Sequence, residues 1–267
     1  MKALPGIFLG VVLSVSVPAH AEGIPASGMD IAGLRIGMTE ADAMAALRAF
    51  DPGAKVTRRT VASFPYFDGA SMLQTPEFLD QLEVSTNGGP FRVWFTGLPS
   101  ESRVFAVNRR GAAERPPGSE QFVSSLVSKY GPFDARSPAR PGGQTVVQWG
   151  EEGKPQCTVG KDRAGQRVPA ENSTGTLLPP QAAKTLEQQA RQGYPHLREA
   201  LGTAMDPARC GVVLRYEWLG DPVASFEAWL VDQGGMIAMG RQSAQWVEQL
   251  KADAVRAREG QGTVPRL

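Results

Sequence analysis

Val212 to Leu230, VVLRYEWLGDPVASFEAWL, is the stretch on which the fold turns. Val212, Leu214, Tyr216 and Trp218 share one parity, and Ala224, Phe226, Ala228 and Leu230 share another. That period of two marks half-buried strands. Gly220-Asp221-Pro222 between them reads as a three-residue loop that returns the second strand antiparallel to the first. With the apolar faces aligned, this register sets Arg215 opposite Glu227, a favourable cross-strand pair. A one-residue slip loses both features, so the pattern specifies the register.

The same logic works upstream. Phe91, Val93 and Phe95 alternate with Arg92, Trp94 and Thr96, residues 97–102 (GLPSES) turn the chain, and Arg103 to Arg109 return it. Gln144 to Trp149 read as a further strand. Between the strands lie helical segments. Thr39 and Asp42 form a capping-box pattern ahead of an apolar stripe, Ala43, Met44, Leu47 and Phe50, and Asp51-Pro52-Gly53 stops the helix. Ser119 is placed to cap a second helix carrying Phe122, Val123, Leu126 and Tyr130, with Gly131 at its end. Residues 160–180 are polar and rich in turn formers, which predicts a long loop. Residues 181–192, 195–204 and 242–258 have helical spacing, the last with Val247, Leu250 and Ala254 on one face.

This order predicts an α+β fold, one antiparallel sheet with helices mainly on one face. The two helix-then-strand runs also admit a division into two related helix-plus-sheet modules. A single domain over 22–258 is expected, followed by a frayed tail at 259–267.

The first 21 residues, MKALPGIFLGVVLSVSVPAHA, have the basic start, short apolar run and small-residue Ala19-His20-Ala21 end of a secretory signal. Cleavage after Ala21 is expected. The apolar run is shorter than the roughly 20 residues that span a bilayer, so no integral span is predicted. No cysteine near the cut offers a lipid anchor. The expected compartment is the periplasm, with full secretion as the alternative. Lysine and arginine number 28 against 27 acidic residues, and Lys2 leaves with the signal. A neutral chain lacks the field that drives nucleic-acid or anionic-lipid binding. Cys157 and Cys210 are the only cysteines, and in an oxidising compartment they are expected to form a disulfide. Closing that loop is worth about 4 kcal/mol on chain-entropy grounds.

Catalytic patterns are sparse. His20 is lost with the signal, leaving only His196, without a nucleophile elbow or a zinc motif. No glycine-rich phosphate loop is present, and no cofactor or metal is expected. Asp68, Asp80 and Glu151-Glu152 are the available acids, but Asp68-Gly69 is first a turn and Glu151-Glu152-Gly153 a hairpin tip. Arg58-Arg59 and Arg109-Arg110 suit an anion, yet read more simply as charges that protect strand edges. Trp94 and Trp229 fall on the outward parity of their strands. A second layer of helix would cover them; left uncovered, they are candidate interface anchors.

Gly33-Leu34-Arg35-Ile36-Gly37-Met38-Thr39, with the capped alanine-rich helix after it, resembles the opening of small bacterial envelope proteins. These include the SmpA/OmlA-type assembly lipoproteins and the repeats of the beta-lactamase inhibitor protein. The resemblance implies a helix-plus-antiparallel-sheet module that binds other proteins. Val104 to Arg109, Leu126 to Gly131, Val146 to Gly153 and Cys210-Gly211 are similar to proteobacterial periplasmic proteins. The expected function is therefore non-enzymatic binding of another periplasmic or secreted protein. The alternatives are a carboxylate-dependent hydrolase of a cell-envelope substrate, predicted to bring Asp68 or Asp80 beside another acid, or a small-ligand carrier.

Overall fold

The computed structural model describes residues 23–137, 144–154, 157–161, 167–171, 176–177, 208 and 210–260. The expected signal, the expected helices at 181–192 and 195–204, and His196 lie outside them.

The α+β class and the antiparallel sheet are as expected. Eight strands form one sheet in the order β1-β4-β5-β6-β13-β12-β8-β7. These are β1 (Lys55–Ala62), β4 (Phe78–Ser85), β5 (Phe91–Phe95), β6 (Val104–Ala112), β7 (Ala135–Arg136), β8 (Gln144–Gly150), β12 (Val212–Leu219) and β13 (Ser225–Asp232). The hairpin β2 (Pro65–Phe67) and β3 (Met72–Gln74) is inserted after β1. Another insertion, after β8, holds β9 (Cys157–Lys161), β10 (Arg167–Glu171) and β11 (Thr176–Leu177), in the order β10-β9-β11. The segment 160–180 is thus not simply a loop. Its strands are only two to five residues long, too short for a visible period.

The strand order divides the sheet in two. Helix α1 (Glu40–Phe50) precedes the ladder β1-β4-β5-β6, and α2 (Ser119–Tyr130) precedes β7-β8-β12-β13. The halves join where β6 and β13 pair antiparallel. The same device braces each half. The Asp51 carboxylate after α1 accepts the Asn87 backbone N–H at 2.6 Å, and the Asp134 carboxylate after α2 accepts that of Gly150 at 2.6 Å. Each acid ties its helix exit to the end of the strand that pairs with that half's first strand. Two helix-then-strand runs therefore share one continuous sheet.

Helix α1 matches its sequence signal, with both capping-box bonds present and Ala43, Met44 and Leu47 buried, except that Phe50 at the end of the expected stripe is exposed. Helix α2 departs from expectation at its start. Its N-cap is Gly118, which makes no side-chain cap, and Asp221 from the β12–β13 turn accepts the Ser119 N–H at 2.9 Å instead. The Ser119 hydroxyl accepts from Trp218 Nε1 at 2.9 Å. The stripes of α1 and α2 join Phe91, Val93, Leu214, Tyr216, Trp218 and Leu230 in one buried core on one face of the sheet.

A third helix, α3 (Gln233–Glu259), starts nine residues earlier than its apolar pattern suggests. Gly234-Gly235 hides that start, yet the Asp232 cap accepts the Gly235 N–H at 2.7 Å, and a Cβ at Gly235 would overlap the Asp232 carboxylate. Its buried Met236, Ile237 and Met239 lie outside the main core. Ser243 donates to the Leu98 carbonyl at 2.6 Å, and Arg258 pairs with Asp68 at 3.0 Å, so α3 braces the β5–β6 turn and the β2–β3 hairpin.

The β12–β13 hairpin has the expected facing, with a corrected register. Tyr216 sits opposite Ala228, Trp218 opposite Phe226, and Arg215 opposite Trp229 rather than Glu227. The connection spans residues 220–224, longer than three residues. The shift is two residues, which leaves the apolar faces aligned because side chains alternate with period two. Glu227 faces Glu217 instead, and Arg215 pairs along its own strand with Glu217 at 3.1 Å.

Candidate functional site

The face of the sheet turned away from the core carries an unusual polar row. Across β4, β5, β6, β13, β12 and β8, Cα partners run Glu83, Arg92, Asn108, Trp229, Arg215 and Gln148. One step along the strands, Arg110, Glu227 and Glu217 form a second row. Arg92 reaches Glu83 at 3.4 Å and Arg110 reaches Glu227 at 3.5 Å, each through Nε. Asn108 donates to Glu227 at 2.9 Å and to the Ala228 carbonyl at 3.2 Å.

Exposure is uneven on this face. The side chains of Arg92 and Arg110 are 46% and 62% exposed, whereas that of Arg215 is 10%. The face is open around Arg92 and Arg110, and closed over β12 and β8 and at Trp94 and Asn108. At the closed end burial raises the Glu217 carboxyl above its ordinary value, against the attraction of Arg215, and burial lowers the Arg215 guanidinium.

Trp94 and Trp229 meet at the centre. Their rings stack at 5.8 Å with an interplanar angle of 21°. Trp94 is 1% exposed, so it is the buried support of the pair, while Trp229 is half-buried.

The two arginine pairs part company. Arg58 and Arg59 lie on edge strand β1, where Arg59 pairs with Glu40 at 3.3 Å. Arg109 and Arg110 lie on β6, a central strand, so they are not edge charges. Arg110 faces outward. Arg109 faces the core side, its guanidinium over the rings of Phe50 at 4.7 Å, Phe91 at 5.3 Å and Phe226 at 5.3 Å.

No protein-family model, curated protein or solved structure matches the chain.

The acids singled out in the sequence do other work. Asp68 closes the β2–β3 turn, accepting the backbone N–H groups of Ala70 at 2.8 Å and Ser71 at 2.7 Å. Those bonds, with help from Arg258, hold its carboxyl below the usual range. A general acid needs the opposite shift. Asp80 is half-buried within β4. Glu151 accepts the Val212 N–H at 3.0 Å and pairs with Lys154 at 2.9 Å, bracing a turn that is not the expected hairpin tip, because β8 pairs with β7 and β12 while β9 lies in the separate small sheet. Among the described residues no group of three or more His, Cys, Asp or Glu is placed to hold a metal ion. Nor is any described helix long and apolar enough to cross a membrane. Cys210 is buried just ahead of β12 and Cys157 opens β9, whose side chains lie outside the described residues.

Sequence reading missed Asn108, Arg110 and Glu227 as one group. Their outward parity was legible, but their convergence depends on the β6·β13 pairing, which joins residues over a hundred positions apart.

Proposed function

We propose that this is an exported, non-enzymatic protein of the bacterial envelope that binds another periplasmic or secreted protein through the open sheet face. One observation carries the reading. Half-buried Trp229, stacked on buried Trp94, is bordered by the exposed side chains of Arg92 and Arg110. A rigid aromatic with a polar border is the arrangement of protein-binding hot spots. The envelope-protein resemblance and the signal-like N-terminus support the same reading. A Cys157–Cys210 disulfide belongs to it, tying the insertion after β8 to the start of β12.

The test is crosslinking in the native envelope, capture of the tagged mature protein, and mass spectrometry. A stoichiometric protein partner, retained by wild type and lost with Trp229→Ala in a folded variant, supports the proposal. A partner equally retained by Trp229→Ala, or none at all, overturns it.

A further inference from the structure

At the β1–β6 end of the open face lies a depression of about 100 Å³, lined by Thr57, Glu83, Ser85, Arg92, Asn108 and Arg110 among others. We propose that it is a carboxylate seat that takes an Asp or Glu side chain of the bound partner. This rests on the open face being the protein-binding surface.

Geometry favours an anion. The lining holds two guanidiniums and one carboxylate, Glu83, while Glu227 pairs with Arg110 from outside it. Each guanidinium approaches its acid most closely through Nε, at 3.4 and 3.5 Å. Charge-assisted bonds run about 2.7–2.9 Å, and arginine prefers to bind carboxylates by two parallel bonds. Neither intramolecular pair uses that geometry, which leaves the Nη groups of both arginines for an incoming carboxylate. Size favours a single side chain, since pockets for drug-sized ligands start near 300 Å³.

Two backbone devices build the seat. The β1–β4 register shifts between Val56 and Arg58, placing Thr57 at a bulge where its hydroxyl donates to the Glu83 carbonyl at 3.1 Å. Bulges re-aim side chains in this way. On the opposite wall Gly89 has φ +106°, and a Cβ there would overlap the Arg110 carbonyl oxygen. Only glycine lets the 86–90 turn close onto β6, where Arg110 N–H donates to the Pro90 carbonyl at 3.1 Å.

Nitrogen-15 spectra of the folded mature protein test this, following the Nε–H signals of Arg92 and Arg110 as N-acetylglutamate N-methylamide is added. Saturable shifts at both arginines are expected, at least about tenfold weaker in Arg110→Gln, a loss of one charge-assisted contact. A linear drift no different from that of exposed Arg256 overturns the proposal. So does tighter binding of inorganic phosphate than of the carboxylate. Partner capture, run separately, distinguishes the two readings. Capture that survives without carboxylate binding sinks the seat alone, while carboxylate binding without a captured protein sinks the protein-binding function.

Discussion

Trp94 and Trp229 stack at 5.8 Å across strands β5 and β13, one ring buried and the other half-exposed. The pair bridges the two halves of the sheet, because β13 belongs to the second half and β5 to the first. The two rings therefore have different consequences on removal. Trp94→Ala is expected to cost about 3–5 kcal/mol in chemical denaturation, the range for emptying a buried aromatic site. Trp229→Ala is expected to cost less stability and to lose the partner. Equal destabilisation by the two variants would contradict this division.

Asp221 caps α2 from a turn 102 residues away in sequence. Asp221→Ala is expected to lower stability by about 1 kcal/mol, the usual cost of a lost N-cap. Amide exchange localises the effect, with Ser119 to Phe122 losing protection while α1 keeps its own. Uniform loss of protection across both helices would show that the bond does not act as a local cap.

Glu217 and Asp68 respond to pH with opposite sign. Burial raises the folded Glu217 pKa above its ordinary 4.5, so its favourable contribution is complete below that value and is lost as pH rises through the folded pKa. Glu217→Gln stays neutral, and its stability advantage over wild type should grow as pH rises from about 4 to about 7. Asp68 is held below 3.8, so its contribution is present above that value and fades as pH falls through the folded pKa. Asp68→Asn should therefore be most harmful near neutrality. Melting temperatures measured across this pH range check both signs.

Gly89 has no room for a side chain, and its φ of +106° disfavours one. Gly89→Ala is expected to destabilise by about 1–3 kcal/mol, the order of cost for a strained backbone position. It should also displace Pro90 from Arg110, read as altered amide shifts in both. Gly37→Ala is the useful comparison, since that glycine also has positive φ but meets nothing within 4 Å. A smaller loss there isolates the steric part at Gly89.

A Cys157–Cys210 bridge predicts a linked peptide pair in unreduced digests of the exported protein. Reduction should lower stability by as much as about 4 kcal/mol. Two free thiols in the oxidised, folded protein would remove the bridge from the account.

Local signals fixed much of this architecture. The Thr39–Asp42 box and the stripe behind it determined α1, because both bonds close within one helical turn. Alternation in 91–95 and 212–218 determined which side chains face the core, since facing follows from a period of two within a strand. The strand β1 was not legible, because it is an exposed edge with two register shifts and lacks a regular alternation.

What the tertiary structure decided is everything carried by partners distant in sequence. The β12–β13 register moved by two residues, which the apolar pattern does not penalise and which the wider turn and the neighbouring strands set. The cap of α2 came from Asp221, and the start of α3 from an acid beside two glycines that weaken a helical signal. The open face is the same kind of result. Arg92, Asn108, Arg110 and Glu227 each announce only an outward position, and pairing of β6 with β13 brings them beside Trp229. Sequence determines facing because it is local; a site assembled across strands depends on which strands become neighbours.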